Sequence, residues 1–118
     1  MSVLSEKLRK ARTVRVEVGD IAFIVLRPTP LEREERLSGD SQSVARGIMS
    51  FVIGWENVTE LAMFSGGSPH PLPFDKDACA EWLADRPDLF KEISKALVDA
   101  YEAYAKQSEQ EVKNSEPG

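Results

Sequence analysis

One histidine and one cysteine, His70 and Cys79, are the whole stock of soft metal ligands in this chain of 118 residues. A structural zinc site needs about four such ligands, so no metal residue is expected. The two are close enough in sequence to suggest a thiol–imidazole pair. Yet Cys79 shares a helical stripe with Trp82 and Leu83, and a thiol on an inward stripe is packing, not a nucleophile. Acids cluster at Glu32, Glu34 and Glu35 and at Asp75 and Asp77. They sit at helix starts, where carboxylates favour the helix dipole and stay solvated. Gly66-Gly67 lacks the Lys-Ser/Thr that follows a phosphate-binding loop. No catalytic or cofactor-binding residue emerges, and the expectation is a protein that is not an enzyme and carries no cofactor.

Charge is unevenly spread. Residues 1–15 hold Lys7, Arg9, Lys10, Arg12 and Arg15 against Glu6, a net of +4. The whole chain is −5, so the remainder is −9. A basic arm on an acidic body suits nucleic acid or an acidic partner, and the plainer reading is a solvated, frayed first helix. The segment around Arg86-Pro87-Asp88 could imitate a helix-turn-helix. However, residues 75–106 carry eight acids against five bases, the wrong sign for a surface that must neutralise phosphates. Nucleic acid is not the expected partner.

The elements follow from periodicity. A short helix capped by Ser2 or Ser5 places Leu4, Leu8 and Ala11 on one face. Val14, Val16 and Val18 alternate with Arg15 and Glu17, a half-buried strand, and Gly19-Asp20 turns the chain into a second strand, Ile21–Arg27. That strand is apolar on both faces, so helices should cover one side and a second subunit the other. Thr29, Pro30 and Glu32 form a helix-start signature. A helix opening at Ser41 or Ser43 carries Val44, Ala45, Ile48, Phe51, Val52 and Trp55 as one stripe, with Gly54 as its left-handed cap. Residues 65–71 are a Gly/Pro-rich loop. Asp75 caps a short helix, and Pro87 opens a final one from about Asp88 to Lys106. Its stripe runs through Leu89, Phe90, Ile93, Ala96, Leu97, Ala100, Tyr101 and Tyr104. Phe90, Tyr101 and Tyr104 either finish the core or form an amphipathic tip for a protein partner.

The fold class is therefore α+β, an N-terminal β-hairpin packed on four or five helices, the C-terminal one longest. Residues 1–106 form one globular domain, and residues 107–118 a polar, disordered tail. No apolar segment is long enough for a signal peptide or a membrane span, which makes a cytoplasmic protein the expectation. Exposed strand edges and a double-sided apolar strand suggest a homo-oligomer.

One order of residues carries more. Gly54-Trp55-Glu56-Asn57-Val58, then a loop, then Pro71-Leu72-Pro73-Phe74 and a closing helix pair resembles the tail assembly chaperones of long-tailed bacteriophages. The resemblance covers about residues 30 to 105, with a longer loop between Trp55 and Pro71 than the simplest family pattern. It implies a phage or prophage protein that binds the tape measure protein and helps recruit tail tube subunits. It further implies action in the host cytoplasm, departure before the virion matures, and a longer frameshifted form extending near residues 107–118. The alternative from the residues alone is a small DNA-associated regulator using the basic arm.

Overall fold

The computed structural model describes residues 2–115. Helix α1 (Val3–Ala11) leads into strands β1 (Thr13–Val18) and β2 (Ile21–Leu26). Then come α2 (Pro30–Arg36), α3 (Ser41–Ser50), β3 (Val52–Glu56), α4 (Glu60–Met63), α5 (Lys76–Ala84) and α6 (Pro87–Ser115). The class is α+β, with an antiparallel sheet ordered β1-β2-β3 and a long C-terminal helix.

The hairpin forms as the alternation predicts. Val14, Val16 and Val18 lie opposite Val25, Phe23 and Ile21, which puts six apolar side chains on one face. Gly19 turns the chain at φ 61° with open space around it. Helices α5 and α6 lie on this face. Phe23, Val25, Val16, Cys79, Trp82, Leu83, Leu89, Ile93 and Leu97 belong to one buried cluster. Phe23 and Trp82 meet at 5.9 Å between ring centroids.

The helix expected to run from residue 41 to Trp55 stops at Ser50, and Val52–Glu56 is a third strand. Asp40 caps α3 by accepting a hydrogen bond from Ser43 N. Gly54 is not a left-handed cap, since positive φ among glycines falls at Gly19, Gly39 and Gly66. It lies inside the strand, opposite Ile24. The register explains the error. Trp55 pairs with Phe23 and Val52 with Val25, with a bulge between them. A bulge inserts one residue, so two inward side chains sit three apart, the spacing of a helix.

Because β3 pairs with β2, the sheet is three-stranded and β2 is central, with neither edge open. Its second face is mostly closed within the chain. Ala22 and Leu26 are buried, and Arg15 on β1 reaches Glu56 on β3 at 2.7 Å, bridging over β2. The sheet edges left over belong to β1 and β3.

The segment after β3 is tied down by the residues that carry the family resemblance. Trp55 Nε1 donates to the Leu72 carbonyl at 2.9 Å, and Leu72 N to the Val58 carbonyl at 2.7 Å. Trp55 meets Phe74 edge-on at 5.1 Å. The one-turn helix α4 inside this segment had no signal in the periodicity. Asn57, at φ 61°, donates from its side chain to the Asp20 carbonyl at 2.8 Å, joining the end of β3 to the hairpin turn.

Helix α6 does not end at Lys106. It continues to Ser115, past residue 107 where the tail was expected to begin, and residues 116–118 lie outside the described residues. The missing apolar face shows instead as exposure, since nearly every residue from Ala105 to Val112 faces solvent. The principal extents, 64 × 35 × 28 Å, reflect this long helix, which at 1.5 Å per residue spans about 43 Å.

Candidate partner-binding surface

Where α1 ends, three elements are locked together by one arginine. Arg12 donates from a single guanidinium nitrogen to the Arg27 carbonyl at 3.0 Å and to Glu32 Oε1 at 2.7 Å. Arg27 N returns a bond to the Arg12 carbonyl at 2.7 Å. Glu32 belongs to the capping box of α2, where its Oε1 also accepts from Thr29 N at 3.0 Å. Partial burial alone would raise the pKa of Glu32. The Thr29 amide and the Arg12 guanidinium outweigh it and hold the carboxyl below its ordinary value.

This lock fixes the base of α1 while leaving its apolar stripe open. Val3, Leu4 and Leu8 are 68%, 67% and 63% exposed, and no residue of the helix is buried. Single exposed leucines are ordinary, but three on one short helix form a patch that the chain's own fold does not use.

On α6, Tyr104 stands beside this helix and Tyr101 is its neighbour. Their rings are 6.5 Å apart, and each is capped by an arginine from another element. Arg27 lies 3.7 Å over the Tyr104 ring, and Arg33 of α2 lies 4.8 Å over Tyr101. The cation–aromatic stacks hold the tyrosines half-buried in a fixed orientation. Between α1 and Tyr104 runs a groove of about 540 Å³ lined by Leu8, Arg9, Arg12, Arg27, Thr29 and Tyr104. A smaller hollow of about 210 Å³ on the other side reaches Tyr101, Arg33 and Leu97.

Phe90 does not join the tyrosines. It is half-buried in a separate dent with Met49, Leu83 and Pro87. Eleven residues of helix set it about 16 Å from Tyr101 along the axis. The shared stripe had suggested one tip, but a helical face is long as well as narrow. Tyr101 and Tyr104 stand together, half-buried, and Phe90 packs at the other end of the stripe.

Cys79 is 3% exposed, and burial pushes its thiol up to about 11. His70 is exposed in the loop, its backbone N–H held by Ser68 Oγ at 3.2 Å. Among the described residues, no three His, Cys, Asp or Glu side chains are placed to hold a metal ion. No helix among them is long and apolar enough to cross a membrane.

No family model, curated protein or solved structure matches this chain. The geometry of this surface therefore carries the functional reading beside the residue pattern. Sequence reasoning named the two tyrosines but not the arginines that cap them. The available signal was the +4 arm and the face shared by Leu4 and Leu8.

Proposed function

We propose that this chain is a non-enzymatic assembly chaperone of a phage or prophage tail, acting in the host cytoplasm. In this reading it binds the tape measure protein, helps recruit tail tube subunits, works as a homo-oligomer and leaves before the virion matures. The observation that supports a binding role is α1. A helix anchored at its C-terminal end presents three large apolar side chains to solvent, beside a groove that ends in an aromatic ring. A surface of that kind stabilises nothing within the chain and is suited to covering apolar stripes on another protein. The choice of client rests on the residue pattern from Gly54 to Phe74, which folds here as one packed unit around Trp55.

Co-expression with a long helical protein encoded beside it tests this. The expected result is a soluble complex where that protein alone aggregates. Failure to co-purify, with no gain in the partner's solubility, refutes the reading. The DNA-binding alternative draws on the same helix through Lys7, Arg9 and Lys10. It requires affinity for duplex DNA that falls steeply with salt.

A further inference from the structure

We propose that the groove between α1 and the Tyr104 turn of α6 docks an acidic amphipathic helix of a partner protein. This rests on the protein-binding reading above and names the chemistry of the partner.

Charge complementarity is the first argument. Three guanidiniums, Arg9, Arg12 and Arg27, line the groove and no carboxylate does. Glu32, behind Arg12, is already bonded to Arg12 and Thr29. Arg27 is stacked on Tyr104 with its hydrogen bond directed to the Pro28 carbonyl. Its pKa is lowered, first by burial and further by the neighbouring charge of Arg12. Arg9 forms no ion pair among the described residues. A carboxylate entering here would meet a net positive field in a partly desolvated cleft, where such pairs bind and orient strongly.

The apolar part of the groove sets the shape of the ligand. Leu8 and Ala11 form one wall and Tyr104 the other, and Leu4, one turn before Leu8, extends the stripe outward. A helix carrying apolar residues every three or four positions, with acids on its flanks, matches a wall with that same repeat. Single-stranded nucleic acid fits less well. A base needs a free aromatic face, and Arg27 already occupies a face of Tyr104. Phosphates would also leave Leu4 and Leu8 without a role.

Two synthetic helical peptides, each with a leucine stripe, test the proposal. One is flanked by glutamates and the other by lysines. Their binding to the full chain is followed by fluorescence anisotropy. The glutamate peptide should bind at least roughly tenfold more tightly, and added salt should erode the difference. Arg9→Glu should weaken the glutamate peptide about tenfold and favour the lysine one. Leu8→Asp should abolish binding of both. Both side chains are exposed, so circular dichroism should remain that of the parent. Equal binding of the two peptides, indifference to both substitutions, or displacement of the peptide by an oligonucleotide would overturn the proposal. If the substitutions have no effect and the co-expressed client still stays soluble, the groove is wrong while the chaperone reading stands. If peptide and client both fail to bind, both readings fall.

Discussion

Replacing Trp55 by alanine should remove the joint that holds the sheet, the 58–74 segment and α5 together. The indole is 8% exposed, donates to the Leu72 carbonyl at 2.9 Å, and meets Phe74 at 5.1 Å and Trp82 at 6.3 Å. Burying roughly 200 Å² of aromatic surface at about 25 cal/mol per Å² gives an upper figure near 5 kcal/mol. Measured truncations of buried aromatics cost about 3–5 kcal/mol. A loss of about 4 kcal/mol is a large share of the 5–15 kcal/mol typical of a domain. It should lower the melting temperature by about 15 °C. Far-ultraviolet circular dichroism reports the transition, and Trp82 remains as a fluorescent probe. Trp55→Phe, which keeps a ring but loses the N–H, should cost only about 1–2 kcal/mol. Phe74→Ala should couple to Trp55→Ala by about 1 kcal/mol, because the two rings touch. An unchanged denaturant midpoint for Trp55→Ala would show that the indole bears no load, and the anchoring of the loop would need another cause.

Three further perturbations probe separate features. Gly47→Ala would normally stabilise a helix by up to about 1 kcal/mol. Here the new Cβ would lie 1.8 Å from the Arg36 carbonyl oxygen. A net loss of roughly 1–3 kcal/mol in urea unfolding is expected, and a gain would mean that α2 and α3 separate freely. Glu32 has its carboxyl pKa held below the ordinary 4.5, so its contribution to stability is present above that pH and is lost as pH falls through the folded value. Glu32→Gln should therefore flatten the decline in stability between about pH 5 and 3; parallel pH profiles for parent and variant would contradict this. Cys79, with a buried thiol at about 11, should resist iodoacetamide at pH 8 until denaturant is added. Mass spectrometry showing full labelling of the native chain would contradict its burial.

Local rules were readable where one short segment decides the structure. The hairpin, the Thr29 capping box, the Asp75 cap and the inward faces of Cys79, Trp82 and Leu83 needed only neighbouring residues. The third strand was hidden because its bulge reproduces helical spacing. Ile53 is the extra residue between Val52 and Gly54, so Val52 and Trp55 point inward together three positions apart. Two weaker signals pointed the other way. Val52 and Ile53 are β-branched, and Gly54 is costly inside a helix. The end of α6 misled for a different reason. A long helix already nucleated by core contacts at Leu89, Ile93 and Leu97 needs little to continue, because each added residue contributes a hydrogen bond without a new nucleation cost.

The candidate surface was half readable for a comparable reason. Tyr101 and Tyr104 stand out on a continuous helical stripe, but their partners Arg27 and Arg33 come from the end of β2 and from α2. No periodicity relates those positions. They meet only in the folded chain, where the Arg12 lock also sets the end of α1 against Arg27 and Glu32. The lock gives one residue of the basic arm, Arg12, a structural role. A merely solvated basic arm would gain nothing from having Arg12 bound on two elements at once. Fixing that end orients Arg9 and Leu8 toward one groove, so the charge and the apolar stripe act on the same ligand. If the lock rather than the charge alone creates the surface, Arg12→Lys should weaken the acidic peptide despite conserving the charge. Lysine's shorter, flexible stem ends in a compact ammonium, without the rigid guanidinium plane that holds one donating nitrogen between the Arg27 carbonyl and Glu32. Retention of full affinity in that variant would reduce the site to net charge, and the basic arm would then need no fixed geometry.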